Sequence, residues 1–136
     1  MQSPSFLAAS LAVALGGGMG AWLRFLVARM TLRSIGPVAA SGFPWATLSV
    51  NLIGSFAMGL LVGWLARFGS QGAEGLRLLL GVGVLGGFTT FSAFSLELVQ
   101  MAQRGALGTA IVYALVSIMG GIAGLIFGLL LMRTSL

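Results

Sequence analysis

The fold turns on "LRLLLGVGVLGGFTTFSAFSLELVQM", residues 76–101. The stretch is long enough to cross a bilayer, because about 20 apolar residues in a helix span the hydrocarbon core. Yet Gly86, Gly87, Thr89 and Thr90 stand near its middle, where a helix in lipid can least afford to open. Glycines weaken a helix, and threonine hydroxyls offer N-caps for a restart. A break frees carbonyls on one side and N–H groups on the other. Inside a membrane it persists only where protein or a bound ion satisfies those groups. The expectation is a spanning helix broken over Gly86–Thr90. After the restart, Phe91 and Phe94 share one face, as do Ser92 and Ser95. Read alone, the residues also admit a plain glycine hinge with phenylalanines facing lipid.

The composition supports a membrane setting. Of 136 residues, 58% are hydrophobic and 7% charged, against about 25% charged in soluble domains. A chain this small cannot hide so much apolar surface in a core of its own. Its 22 glycines suit close helix approach in lipid. Three further segments are long enough to span. The chain reads as an all-α membrane protein of one four-helix domain, residues 1–136, with spans near 6–30, 46–66, 76–101 and 105–132. Strand alternation of the barrel kind is absent. The first span has no basic residues ahead of it and is expected to be a membrane helix, not a cleaved signal. "TLRSIGPVAASGFPW", "RFGSQGAEG" and "AQRG" are the expected connections, the first a loop marked by Pro37 and Pro44.

The charges are seven arginines against Glu74 and Glu97, with no lysine and a net charge of +5. The arginines are scattered singly between apolar runs, which suits headgroups and snorkelling and not nucleic acid. With four spans, Arg67, Arg77 and Arg133 fall on one side, and Arg29, Arg33 and Arg104 on the other. The positive-inside rule then gives almost no preferred orientation. Two readings follow. Copies insert both ways and pair antiparallel, or a weakly biased chain is oriented by its first helix or by a partner.

Small and polar residues recur four apart: Gly16, Gly20 and Arg24; then Thr47, Asn51, Ser55, Gly59 and Gly63; then Tyr113, Ser117 and Gly121, beside Gly120, Gly124 and Gly128. Helix packing explains the glycines. Asn51 and Arg24, costly at membrane depth, call for a partner or water. No cysteine, histidine or carboxylate pair is present, which leaves no metal cage of the thiolate or imidazole kind and no nucleophile–base set. "GGGMG" lacks the following Lys-Ser/Thr of a phosphate loop. Glu97, near the end of its span, is expected to be solvated or to cap. What remains is an anion-handling inventory: one guanidinium, an amide, hydroxyls and the positive edges of phenylalanine rings.

"GAWLRF" (Gly20–Phe25), "PWATLSVNLIG" (Pro44–Gly54) and "GGFTTFSAFSLE" (Gly86–Glu97) together resemble the Fluc family of fluoride channels, also called CrcB. The resemblance covers the whole chain and implies an antiparallel, dual-topology homodimer in a bacterial inner membrane. It implies passive, selective F⁻ export through two parallel paths. It also implies a structural Na⁺ at the dimer centre, held by the backbone carbonyls of Gly86 and Thr89. The implied anion path comprises Asn51, Thr47, Phe91, Phe94, Ser92, Ser95, Tyr113 and Ser117, with Arg24 in a vestibule. Gly121 and Ala93 depart from the family pattern, which often has serine and threonine there. The rival reading is a small dual-topology multidrug exporter, from which an acid in the first helix is expected. This first helix has Arg24 instead.

Overall fold

The computed structural model describes residues 4–69 and 73–134. Every regular element among them is helical: α1 (Phe6–Gly42), α2 (Trp45–Phe68), α3 (Glu74–Leu76), a π-helical stretch (Arg77–Leu85), α4 (Gly86–Phe88), α5 (Phe91–Gln103) and α6 (Leu107–Thr134). Four helical spans are long and apolar enough to cross a membrane: Phe6–Gly42, Trp45–Phe68, Glu74–Gln103 and Leu107–Arg133. Large apolar side chains cover the outside, Phe6, Leu15, Leu107 and Met119 among them. A water-soluble bundle could not leave such a surface uncovered, and the chain is a multi-pass membrane protein.

The side-chain core is small and sits at one end. Leu48 of α2, Phe94 and Met101 of α5, and Ala110 and Tyr113 of α6 form it, with Phe43 and Leu52 packed against them. Elsewhere several glycines bring helix backbones into close contact. A Cβ on Gly16 would collide with the Leu79 carbonyl, and one on Gly20 with the Val84 carbonyl. One on Gly87 would strike Gly17. These contacts lay α1 along the third span. Between α2 and α6, a Cβ on Gly59 would strike the Leu125 carbonyl, and one on Gly128 would come within 2.5 Å of the Phe56 carbonyl. Without lipid-excluded apolar area to drive association, such close approach supplies dispersion contact instead.

Two expectations need correction. The stretch 31–42 is helical and not a loop. Gly36 alone leaves helical geometry, at φ 77° and ψ 166°, a conformation only glycine takes cheaply. Pro37 then opens a last short helical piece, where its missing N–H costs nothing. The third span also differs in detail. Gly86 and Gly87 are helical, and the backbone is extended only at Thr89 (φ −80°, ψ 158°) and Thr90 (φ −149°, ψ 122°). Gly87 packs against Gly17 of α1, and neither glycine interrupts the helix. The connection "AQRG" stands as read. Gly105 takes φ 76°, and Ala106 N–H reaches Met101 O at 2.9 Å, the arrangement that closes a helix on a left-handed glycine. The connection "RFGSQGAEG" lies partly outside the described residues.

Gly16→Ala is expected to lower thermal stability in detergent by about 1–3 kcal/mol through forced backbone separation. Gly18→Ala, with nothing near its Cβ, is expected to be neutral or slightly stabilising. Melting curves of the two variants check the contrast.

Candidate functional site

Beside the interruption, Asn51 of α2 faces Thr90. Thr90 N–H donates to Asn51 Oδ1 at 2.9 Å, and Asn51 Nδ2 donates to Thr90 O at 3.1 Å. The amide therefore supplies one acceptor and one donor to a residue that no helix satisfies. Asn51 is the residue type the position needs, because only a side-chain amide carries both functions in one plane. Thr90 also caps α5, its Oγ1 accepting from Ala93 N–H at 3.2 Å. Thr89 does not cap. Its hydroxyl donates backward to Leu85 O at 3.0 Å, and its methyl rests on Gly54.

One turn toward the core end lies a second polar cluster. Thr47 Oγ1 donates to Glu97 Oε1 at 2.6 Å, and Tyr113 OH donates to Glu97 Oε2 at 2.8 Å. Glu97 is thus neither solvated nor a cap. It accepts hydroxyls from α2 and α6 and ties three helices together. Leaving a carboxylate at this depth without donors would be costly. Its partners lie 50 and 16 residues away in sequence, so no local spacing announced them. The available signal was that a lone acid within an apolar span needs partners.

Around this cluster the sites read from the sequence divide. Phe94 is buried and packs edge-on against Tyr113, with ring centroids 5.1 Å apart. Phe91 lies 5.8 Å from Phe94 but is 79% exposed. Ser117, one turn beyond Tyr113, has a buried hydroxyl with no partner among the described residues. Ser92 Oγ lies 3.4 Å from Thr90 Oγ1, and Ser95 donates to Phe91 O at 2.9 Å. Neither serine hydrogen-bonds to Thr47, Asn51 or Tyr113. Arg24 is half-buried, with no hydrogen bond or ion pair among the described residues. Arg104 was read only as a topological charge. It donates to Ser41 O and Gln100 O, each at 3.2 Å, and fastens the end of α1 to the end of α5.

Two cavities flank the polar cluster. One, of about 290 Å³, is lined by Thr31, Ser41, Thr47, Glu97, Gln100 and Arg104 among others. The other, of about 260 Å³, is lined by Asn51, Ser55, Thr89, Thr90 and Phe91 with apolar neighbours. Thr47 lines the first and Asn51, one helical turn on, the second.

Four spans, an interrupted third segment and a seam of amide and hydroxyl groups beside two cavities define a small polytopic membrane protein with no assembled reactive centre among the described residues. Residues 11–129 match the family model described as CrcB-like protein, Camphor Resistance (CrcB), and the chain belongs to that family. It is similar to the fluoride-specific ion channel FluC of Novosphingobium aromaticivorans, at 54% identity over 93% of this chain and 98% of that one. It also resembles proteins of the same name from Erythrobacter litoralis (48% identity; 93% of each chain) and Beijerinckia indica (50%; 92% and 96%).

Asn51→Leu keeps the volume but strands Thr90 N–H and C=O. It is expected to destabilise the fold by about 2–4 kcal/mol, from two unsatisfied backbone groups. Asn51→Asp, which keeps the acceptor, is expected to cost less. Denaturation in mixed micelles ranks the two.

Proposed function

We propose that the protein conducts F⁻ passively and selectively across the membrane, lowering the fluoride content of the cell. The observation that carries this reading is the run of donors on α2 and α6, with Thr47 and Asn51 each lining a cavity and Tyr113 and Ser117 buried. Fluoride is small and tightly hydrated, so a narrow path must replace its water with many donors. Thr47 and Tyr113 hold their hydrogens toward Glu97, and an arriving anion competes with the carboxylate for them. Ser117 has a hydroxyl with no prior commitment. Asn51 keeps one N–H beyond the bond it gives to Thr90. Phe91 and Phe94 offer positive ring edges. Ser95 contributes only where its hydroxyl turns from the Phe91 carbonyl, and Ser92 where its hydroxyl leaves the Thr90 hydroxyl. Arg24, lacking a counter-ion in its own chain, raises the local positive potential.

The driving force needs no coupling. HF crosses membranes uncharged and ionises inside, and an inside-negative potential expels F⁻ with about 2.3 kcal/mol per charge per 100 mV. The names of the relatives favour this over a multidrug exporter. The position of Glu97 gives a proton-coupled variant one specific point in its favour, and the response of efflux to a pH gradient separates the two.

We read the functional unit as an antiparallel homodimer in the bacterial inner membrane, inserted in both orientations. The balanced arginines and the exposure of Phe91 support this reading. The Na⁺ expected at its centre fits the residues present. Where a helix ends at Thr89, backbone carbonyls lose their N–H partners and carry the negative end of the helix dipole. A Cβ on Gly86 would meet only Gly81 O at 3.7 Å, so that face is open in the protomer. The carbonyls of Gly86 and Thr89 would hold the ion as hard oxygen ligands. Bound there, it supplies positive charge and joins the two interrupted segments.

Proteoliposomes loaded with salt are expected to release F⁻ rapidly and Cl⁻ not at all, indifferent to an imposed pH gradient. Efflux that follows the pH gradient would instead make Glu97 a proton carrier. Phe91→Ala and the volume-sparing Phe94→Leu are expected to slow F⁻ release strongly while the dimer persists. Wild-type rates in both would remove the rings from the path. Cysteine cross-links introduced near opposite ends of two protomers are expected to form, and links between like ends only would refute the inverted arrangement.

A further inference from the structure

Resting on the channel reading, we infer that Ser55 is a hydrogen-bond donor to the passing anion, supplying from α2 the hydroxyl that α6 lacks at Gly121. The two helices run side by side in the same direction, and their polar stripes meet level by level. Thr47 and Tyr113 converge on one carboxylate. Asn51 and Ser117 follow one turn on. At the next turn α6 presents Gly121, and the nearest side-chain atom to its absent Cβ is Ser55 Oγ, 3.3 Å away.

Two observations give this level a purpose beyond close packing. Ser117, one turn before Gly121, buries a hydroxyl that finds no partner among the described residues. A polar group left so in a membrane interior is costly unless a ligand or water meets it. Ser55, for its part, lines the cavity of about 260 Å³ together with Asn51, Thr90 and Phe91, and no hydrogen bond holds it among the described residues. A serine in a helix commonly returns its hydroxyl to the preceding turn, and this one is left for the cavity. The seam so completed has hydroxyl or amide donors at three successive turns. It crosses from α6 to α2 where α6 gives up its side chain.

The geometry allows a test by transfer. In Ser55→Ala, the atom nearest a Cβ at position 121 becomes the new methyl carbon, about where Ser55 Cβ stands now, 4.0 Å away. That is ordinary contact, and a serine introduced by Gly121→Ser can then place its hydroxyl in the space vacated. F⁻ efflux is measured from proteoliposomes with a fixed number of incorporated proteins. Ser55→Ala is expected to slow efflux about tenfold, the factor that one hydrogen bond of ordinary net strength supplies. The double variant Ser55→Ala/Gly121→Ser is expected to recover most of the lost rate, which a packing role for Ser55 would not produce. Ser55→Ala at the wild-type rate, or a slow single variant with no recovery in the double, overturns the inference. Absence of F⁻ release from the wild-type protein would instead overturn the channel reading itself.

Discussion

A transmembrane helix that stops and starts again must find partners for its backbone without help from water, and in this chain the partner is one side chain. Asn51 receives the Thr90 N–H and gives an N–H to the Thr90 carbonyl, as a neighbouring strand would. The extended pair Thr89–Thr90 can exist because α2 carries an amide at that height. Everything on either side depends on that exchange. It fixes where α5 begins, and so where Phe91, Phe94 and Glu97 point. It also anchors α2, placing Thr47 one turn away opposite the carboxylate. A change at Asn51 therefore reaches the whole polar seam and not one contact.

The seam follows a rule common to buried polar groups. Each donor in it either has an acceptor within the protein or stands buried without one among the described residues. Thr47 and Tyr113 belong to the first kind, through Glu97, and Ser117 to the second. A carboxylate within an apolar span is accounted for once its two oxygens are followed. It keeps two hydroxyl hydrogens oriented, one from α2 and one from α6.

Much of this was legible in the sequence, and the failures have physical causes. The four spans announced themselves by length and hydropathy, and Asn51 by its cost. The segment 31–42 was misread because Gly36 and Pro37 are turn residues in most settings. Here the glycine absorbs the whole change of direction and the proline merely starts the next turn. Glycine weakens helices, which points to an interruption at Gly86 and Gly87, whereas both are helical and the small size of Gly87 is used against α1. The nine-residue π-helical stretch left no readable sign, since its widened turns depend on contact with another helix. Glu97 was undervalued for the same reason, its partners being supplied by other segments.

The division of the bundle into a side-chain core at one end and glycine contacts along the rest has a bearing on how the sequence can drift. At the core end, Leu48 or Met101 can be exchanged for another apolar residue of like volume, with compensation from neighbours. At Gly16, Gly20, Gly59 and Gly128 no like residue exists. Every substitution adds at least a methyl group against the backbone of another helix. Descendants of this chain are thus free to repaint one half and obliged to copy the other. That obligation comes from the backbone of a neighbouring helix, so a glycine retained at one of these positions reports helix proximity.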